Sequence, residues 1–441
     1  MPNGQANPSF YVLTIARSNV PKVEKAIQRF MNGESGGTLK PLTTVKYVMA
    51  RPALQAMRVK YDTPLLMRAF LRNIPGVIMV QQMDGMQVKQ MYEVGLLDPD
   101  DPDAQISFPP GGVAEHLSLV NAPGAWTFLA KQARAQPLSE ICVAHLDTGV
   151  TRHPVFGKWT NGTSAGVRPE LGLNLLGGGP PFDPVTVNYA GQRGHGTRTM
   201  STMAGANKKT LLGMAHGATF VPYRVTNTSV IDTFSATPLD RALEHAWLAN
   251  GCRVASISLG DPCNPSKSNA AAMVAAYQRG MIVVAAAGNV TSEVTFPGSH
   301  PCTITAGGVN LDRSPWAGGS RGIMVDVCAP ANGIFRAETV SVDIKEKYGY
   351  GKQGDGTSYA TTLVAGAAAL WLARWSLAHL ERTYPEPWMI VEAFRWCARA
   401  SAFPPAGWDT NKFGAGILDA HALLQTSLPS AGQLRSRLLT S

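Results

Sequence analysis

The sequence predicts an α/β protein with a doubly wound, mostly parallel sheet, preceded by a small α+β unit. Beyond residue 140, short apolar runs alternate with helical patterns, and each run is hydrophobic at almost every position. Continuous hydrophobicity indicates strands that are covered on both faces, as in a parallel sheet between two layers of helices. A chain of 441 residues, 45% of them hydrophobic, is long enough for one large core and one smaller core.

Residues 1–92 are interpreted as the smaller unit. Apolar residues recur at helical spacing in two of its segments and form short runs in four others. Strands are expected at 10–15, 43–49, 56–61 and 77–82, and helices at 20–31 and 64–73. This β-α-β-β-α-β order is ferredoxin-like. Residues 93–116 are rich in Asp and Pro and are interpreted as an exposed linker.

The larger unit is predicted over 117–425, followed by a C-terminal tail at 426–441. Strands are expected at 141–146, 219–225, 254–259, 282–287, 303–309 and 324–329. Helices are expected at 198–205, 239–250 and 270–279. The run 361–373 is apolar on every side, which indicates a buried helix.

Charge and hydropathy do not indicate a nucleic-acid or membrane partner. The formal net charge is +9, but Lys and Arg are scattered and no basic run or nucleic-acid motif occurs. The longest strongly apolar run, 363–373, is too short to cross a bilayer. No signal-peptide pattern precedes Phe10, which favours a cytoplasmic location and leaves secretion by another route open.

The six cysteines lie far apart in the sequence and form no CxxC motif. Most of them occur within apolar strand-like or helical segments, so we interpret them as reduced core residues. A disulfide that joins Cys263 to Cys252 or to Cys302 is the alternative.

The segment Gly356-Thr357-Ser358-Tyr359-Ala360 places a serine at the start of the predicted buried helix. Small flanking residues allow a tight turn and the close approach of a peptide carbonyl. The free N–H groups and positive dipole of a helix N-terminus favour a developing oxyanion. The structural alternative is an ordinary N-cap serine.

Three further polar residues lie where a doubly wound sheet gathers ligands, beyond its strand ends. Asp147 closes one apolar run, Asn289 closes another, and His195 lies between two glycines. Taken singly, they have structural alternatives: a turn aspartate, an Asx turn and a core histidine.

Taken together, these residues supply the parts of acyl transfer. Ser358 is the candidate nucleophile, His195 the base that accepts its proton, Asp147 the residue that orients the imidazole, and Asn289 the oxyanion donor. An aspartic protease is not indicated, because a second Asp-Thr-Gly or Asp-Ser-Gly is absent. The histidines show no HExxH or paired ligand spacing, so no metal centre is predicted.

The segment from about Leu117 to Leu424 resembles the subtilisin-like serine proteases, whose chain order is Asp, His, Ser. The resemblance rests on five motifs in the family's order: Asp147-Thr148-Gly149, Gly194-His195-Gly196-Thr197, Ser256-Ile257-Ser258-Leu259-Gly260, Ala286-Ala287-Gly288-Asn289 and Gly356-Thr357-Ser358-Tyr359-Ala360.

This resemblance implies a subtilisin-like fold and a serine endopeptidase that acts on polypeptides. It assigns Asp147, His195 and Ser358 to the catalytic triad and Asn289 to the oxyanion hole. The implied substrate-binding residues are Ser256, Ser258, Leu259, Gly260, Ala287 and Gly288. Residues 1–92 are similar to the inhibitory propeptide of these enzymes, which implies an autoinhibited chain with an autoprocessing site within 93–116.

Several positions depart from the family pattern. Arg198 replaces a common second histidine, Ser201 a usual glycine and Thr362 a usual proline, and we expect altered packing without loss of activity. The loop 207–212, where many relatives bind calcium, contains two lysines and no carboxylate. No cofactor is therefore expected, although calcium at a site that the sequence does not locate stays open.

Asp261 is interpreted as a solvated loop carboxylate, with a preference for basic substrate side chains as the alternative. Two other functions also stay open at this stage. One is a binding or scaffold protein on an inactive protease fold, and the other is a peptide ligase that uses the same triad, since hydrolysis and aminolysis differ only in what attacks the acyl-enzyme.

Overall fold

The computed structural model describes residues 108–438 except 161, 163, 165, 185–193, 228, 230–237, 262–265, 290–291 and 343–344; before them it describes residues 10–15, 22, 25–26, 29, 46–50, 54–58 and 77–83. The chain divides into two compact units. One consists of Met1–Tyr92 with Asp232–Ala236, and the other of Glu93–Ile231 with Thr237–Ser441.

The first unit contains a four-stranded antiparallel sheet. Its strands are β1 (Phe10–Ile15), β2 (Lys46–Ala50), β3 (Leu54–Arg58) and β4 (Val77–Met83), in the order β2-β3-β1-β4. Residues 22, 25, 26 and 29 are helical, within the first predicted helix. The second predicted helix, 64–73, lies outside the described residues, so the ferredoxin-like class of this unit stays a prediction.

The second unit is built around a parallel sheet. Among its described residues the strands are β5 (Cys142–Asp147), β6 (Ala206–Asn207), β7 (Leu211–Leu212), β8 (Thr219–Arg224), β9 (Val254–Ile257), β10 (Ile282–Ala286), β11 (Ile304–Val309), β12 (Val327–Pro330), β13 (Ile334–Val342) and β14 (Lys345–Gly354). The central sheet has the order β12-β11-β10-β9-β5-β8, and all its neighbours pair in parallel. Every residue of β9, β10, β11 and β12 is buried, which agrees with the continuous hydrophobicity of the sequence.

Helices cover both sides of this sheet. In the described part of the unit they are α1 (Glu115–Leu119), α2 (Ala122–Ala130), α3 (His195–Ala204), α4 (Leu239–Leu248), α5 (Lys267–Gln278), α6 (Thr357–Trp375), α7 (Leu377–Thr383), α8 (Trp388–Ala400), α9 (Thr410–Phe413) and α10 (Ala420–Gln425). The doubly wound architecture predicted from the sequence is thereby confirmed.

Helix α6 lies across β9, β10, β11 and β12. All its residues from Thr357 to Ala373 are buried, as expected for a helix that is apolar on every side. A Cβ at Gly366 would lie 2.6 Å from the Cβ of Met214, so this glycine permits close packing of α6. Within the described residues no single helix is both long and apolar enough to cross a membrane; α6 and α7 meet these two conditions only when taken together, and their axes are bent by 77°.

Strands β13 and β14 form an antiparallel hairpin that the sequence analysis did not predict. The hairpin segment carries charged residues such as Glu338 and Glu346, and its hydrophobicity is too weak to indicate a strand by period alone. Helix α3 packs against β13, so the hairpin lies next to the helix that begins at His195.

Five cysteines are described, and all are free thiols: Cys142, Cys252, Cys302, Cys328 and Cys397. The interpretation of the cysteines as reduced residues stays a prediction. The Sγ atoms of Cys142 and Cys252 lie 2.8 Å apart, so the close neighbour of Cys252 comes from β5. Cys263, the common member of the alternative bridges, lies outside the described residues.

Candidate active site

The fold brings the four candidate catalytic residues to the carboxyl ends of the parallel strands. Asp147 is the last residue of β5, and Asn289 follows β10. His195 is the first residue of α3 and Ser358 the second residue of α6. Helices α3 and α6 pack against each other, which places the starts of both helices beside the sheet edge that carries Asp147.

Asp147 and His195 form a buried pair. Nδ1 of His195 lies 2.7 Å from Oδ1 of Asp147, and the two residues are 3% and 0% exposed. The Thr148 N–H donates to the same carboxylate oxygen at 2.7 Å. Burial alone would raise the pKa of Asp147, but the charge and hydrogen bond of His195 and the Thr148 N–H lower it below its usual value. An ionised carboxylate only accepts, so His195 donates through Nδ1 and Nε2 is left to act as a base.

The glycines around His195 have a steric reason. Gly194 adopts φ +65°, in the left-handed region where glycine carries no penalty. A Cβ at Gly196 would lie 2.1 Å from the carbonyl oxygen of Gly149. Glycine at both positions therefore lets α3 begin directly against the turn that follows Asp147.

His145 also contacts this carboxylate, which the sequence analysis did not foresee. Its Nε2 lies 3.7 Å from Oδ2 of Asp147 and 3.1 Å from the Oγ1 of Thr199. Burial lowers the pKa of His145, and the attraction of Asp147 offsets only part of that effect. A neutral His145 forms no ion pair with Asp147, so it does not compete with His195 for the negative charge of the carboxylate.

The Ser358 side chain is hydrogen-bonded to the segment that follows β9. Its hydroxyl donates to the Ser258 carbonyl oxygen at 3.2 Å, and the Ser258 hydroxyl donates to the Ser358 carbonyl oxygen at 2.9 Å. Among the described residues no hydrogen bond joins Ser358 to His195. The structure thus brings Asp147 and His195 into direct contact and places Ser358 on the neighbouring helix.

Asn289 is oriented by Thr357, a residue that the sequence analysis did not single out. The Oδ1 of Asn289 accepts hydrogen bonds from the N–H and the hydroxyl of Thr357, at 2.9 and 2.7 Å. The Asn289 amide nitrogen is therefore the atom left to donate. It lies beside Gly356, where an added Cβ would come within 3.1 Å of this nitrogen. Since Gly356 has φ +146°, glycine is required at this position on backbone grounds as well.

Apart from Ser256, the predicted substrate-binding residues lie on two neighbouring segments that follow β9 and β10. Cβ atoms at Gly260 and Gly288 would lie 2.8 and 2.7 Å from the same atom, the Oγ1 of Thr295. Thr295 therefore lies between these two segments. The sequence analysis did not identify it. Most of the predicted set is buried: Ser256 0%, Ser258 1%, Leu259 1% and Ala287 0% exposed.

Ser256 and Asp261 are both buried. Ser256 lies within β9, and its hydroxyl is buried without a hydrogen-bond partner among the described residues. The interpretation of Asp261 as a solvated carboxylate is wrong, because the residue is 2% exposed. Its backbone pairs with that of Phe296, which holds Asp261 inside the protein.

The family's usual calcium loop is a tight turn here. Strands β6 and β7 enclose it, and the Asn207 side chain accepts a hydrogen bond from the Lys209 N–H at 2.9 Å. No cluster of three or more His, Cys, Asp or Glu side chains that could hold a metal ion occurs in the part of the chain that the structure describes.

We expect EDTA to change the melting temperature of the protein only slightly, because the turn between β6 and β7 offers Lys208 and Lys209 in place of carboxylate ligands. Thermal unfolding with EDTA, compared with unfolding in added calcium chloride, measures this. A large fall of Tm in EDTA that calcium restores would reveal a calcium site elsewhere in the chain.

Comparison with known proteins shows which family this chain belongs to. The family model described as "Subtilase family" matches residues 139–382. An alkaline protease of Alkalihalobacillus alcalophilus is 30% identical over 324 residues, which cover 73% of this chain and 72% of the relative. Subtilisin Savinase of Lederbergia lenta is 30% identical over 310 residues, covering 69% of this chain and 96% of the relative.

Solved structures show the same fold. The prenylagaramide maturation protease PagA matches with a TM-score of 0.52 and 23% identity, covering 69% of this chain and 98% of that protease. A protease of Pseudoalteromonas arctica matches with a TM-score of 0.53 and 24% identity, covering 69% of this chain and 93% of that protease. With these matches, the chain belongs to the subtilase family and is a subtilisin-like serine endopeptidase.

Proposed function

We propose that this protein hydrolyses peptide bonds through a covalent seryl intermediate on Asp147, His195 and Ser358, with Asn289 as oxyanion donor. The observation that carries the proposal is the buried 2.7 Å contact between Asp147 and His195 Nδ1. It holds the imidazole in the tautomer whose Nε2 can accept a proton. Family membership supports the same assignment.

In the proposed reaction, Ser358 Oγ attacks the scissile carbonyl carbon while its proton moves to Nε2 of His195. The carbonyl oxygen becomes an oxyanion, which accepts from the Asn289 side-chain amide and from the N–H of Ser358 at the start of α6. His195 then gives its proton to the departing amine. Water repeats the sequence on the acyl-enzyme and releases the acid.

Ser358 must first leave the Ser258 carbonyl oxygen, which its hydroxyl contacts at 3.2 Å. We expect a change of its χ1 rotamer to provide this, because the Ser358 backbone is fixed in α6. The proposed substrate pairs with Ser258–Gly260 as an added strand. A substrate N–H directed at the Ser258 carbonyl would compete for that acceptor, so substrate binding itself would favour the release of the nucleophile.

The N-terminal unit is proposed as an inhibitor of the same chain. Its support is the order of parts: a unit with a four-stranded sheet, then an Asp- and Pro-rich linker, then the protease unit. A tether raises the effective concentration of a linked inhibitor to roughly the millimolar range. Even weak binding of the chain that follows Gln82 to the cleft would then keep the enzyme closed.

Intact-mass analysis tests both parts of the proposal. Wild-type protein should cut itself between Met83 and His116, whereas Ser358→Ala should stay full length, because the cut requires the nucleophile. A chain that begins at Val113 should show lower folding yield or a higher initial rate than the full-length protein. If that chain matches full-length protein in both quantities and wild type is never cut, the N-terminal unit is neither inhibitor nor folding aid.

Two further measurements separate the proposal from its rivals. Covalent labelling of Ser358 by a fluorophosphonate is expected, and a folded wild-type protein that resists labelling would favour an inactive scaffold. Product masses in the presence of a peptide amine distinguish hydrolysis from ligation. Predominance of the ligated product would identify a peptide ligase.

A further inference from the structure

Three side chains that depart from the family pattern connect the elements around the active site. Arg198 and Ser201 lie on α3, and Thr362 lies on α6. The Ser201 hydroxyl accepts a hydrogen bond from the Ala337 N–H of β13 at 3.0 Å. The Thr362 hydroxyl lies 2.6 Å from that of Thr202 on α3. The replacements therefore form contacts between the His195 helix, the hairpin and the Ser358 helix.

A partly buried carboxylate lies among these contacts. Glu338 of β13 accepts a hydrogen bond from Arg336 Nη1 through Oε2, and its Oε1 lies 2.9 Å from Arg198 Nε. The side chains of Glu338, Arg336 and Arg198 are 13%, 2% and 5% exposed. Burial alone would raise the pKa of Glu338, but the two arginines lower it below its ordinary value.

The same network reaches the nucleophile. The side chains of Arg336 and Tyr359 lie next to each other beside Gly354, and Tyr359 directly follows Ser358 in α6. A Cβ at Gly354 would lie 3.0 Å from the Tyr359 ring and 3.1 Å from Arg336 Cδ, so the two side chains converge there. At the other end, Arg198 is three residues after His195. Glu338 is thus connected to both catalytic helices by side chains that are close to the reacting residues.

Hydroxyl contacts next to Glu338 also connect the hairpin to α3. The hydroxyl of Thr339, next to Glu338, lies 2.9 Å from the Thr151 hydroxyl, which in turn lies 3.1 Å from that of Thr197 on α3. Thr339 also packs beside Gly194, where a Cβ would lie 3.4 Å from it. The hairpin therefore contacts the start of α3 on both sides of His195.

We infer that Glu338 is a positioning residue for the protease reaction: through Arg198 on one side and Arg336 with Tyr359 on the other, its carboxylate sets the separation between His195 and Ser358. The inference rests on the proposed triad. Its physical basis is that a small displacement between nucleophile and base is costly in rate, whereas substrate binding, which uses other surfaces, is left almost unchanged.

The test compares Glu338→Gln, which keeps the shape of the side chain and removes its charge, with wild type on a small chromogenic peptide. The expected loss in kcat is about 10- to 100-fold, with KM within about threefold of wild type. The rate of labelling by a fluorophosphonate should fall in parallel. The double variant with Arg198→Met should lose no more than Glu338→Gln alone, because both changes break one connection.

A matched control distinguishes positioning from general stability. Arg395 is a buried arginine that pairs with two carboxylates: its Nη1 lies 2.5 Å from Asp326 and its Nε 3.1 Å from Glu392. It lies on α8 and not on either catalytic helix. Arg395→Met should lower Tm and leave kcat unchanged when all proteins are assayed well below their melting ranges. If Glu338→Gln behaves like Arg395→Met, with lower Tm and wild-type kcat, the positioning role is refuted.

Should Glu338→Gln fail to fold, Tyr359→Phe removes a single hydroxyl from the same network. It should reduce kcat several-fold with KM unchanged, and wild-type kcat in this variant would contradict the inference. Failure of the underlying triad assignment is recognised separately, because wild-type protein itself would then not be labelled at Ser358.

Discussion

Ser358→Ala is expected to abolish peptide cleavage, and His195→Ala is expected to do the same. The two side chains act in one proton-transfer unit, so loss of either removes covalent catalysis as a whole. The expected fall in kcat is about 10⁶-fold, a magnitude known from subtilisin itself and carried over by similarity. Asp147 alone would leave more residual activity, since it orients the imidazole and does not exchange the proton.

The fold should tolerate the Ser358→Ala change. The Ser358 hydroxyl makes one described hydrogen bond, to the Ser258 carbonyl oxygen, and helix α6 is held by the burial of its other residues. Turnover of a casein-type substrate, with circular dichroism as the check on folding, measures the effect. Ser376→Ala is the matched control, because Ser376 caps the helix that follows the far end of α6 and should leave turnover unchanged.

Cleavage by purified Ser358→Ala at near wild-type rate would refute the assignment of the nucleophile. Equal loss in Ser376→Ala would show that the serine substitutions act through the stability of the helices. Neither result is expected, since the proposed chemistry needs an oxygen at the start of α6 and none at its end.

Asn289→Ala should lower kcat by about 10²- to 10³-fold with little change in KM, a magnitude that comes from the equivalent subtilisin residue and is carried over by similarity. The amide contributes most when charge develops on the carbonyl oxygen, so its loss affects the transition state more than the bound substrate. The structure also gives a reason for the orientation of the Asn289 amide. Thr357 occupies the Asn289 oxygen with two hydrogen bonds, which leaves the amide nitrogen directed toward Gly356.

A sharper version of this experiment replaces Asn289 by Asp. The aspartate can still accept both bonds from Thr357, but it offers no donor to the oxyanion and adds a repelling charge. We expect a loss in kcat at least as large as in Asn289→Ala. Thr357→Val is the companion variant: it removes one of the two bonds to Oδ1 and should cause a smaller loss. A raised KM with unchanged kcat in Asn289→Ala would remove Asn289 from the oxyanion role.

Local patterns were sufficient for the main features of the protease fold. The runs of β9 and β10 are buried at every position, as their continuous hydrophobicity predicted. Helix α6 was expected from its apolar sequence, although it begins earlier, at Thr357. The glycines around His195 and Ser358 also indicated where a backbone needs close approach or positive φ. Each of these signals is contained within about ten consecutive residues.

Other predictions failed or were incomplete where the deciding contact is distant in sequence. Asp261 was interpreted as solvated because a loop position suggests exposure, yet pairing with Phe296 buries it. The hairpin of β13 and β14 was missed because its residues are too polar to show a strand by hydrophobic period. Its strands are stabilised by each other and by contact with α3, which no local pattern reports.

The sequence by itself determined which residue types are available for catalysis, their order along the chain and the layers of the fold, because hydrophobic period and glycine placement act locally. Only the tertiary structure decided which side chains meet. Asp147 contacts His195 across 48 residues, and Ser358 bonds to Ser258 across 100. Glu338 lies within reach of Arg198 because β13 pairs with β14 and packs against α3. Such contacts depend on strand register and helix packing, whose energies are summed over the whole core and are therefore not encoded in any one segment.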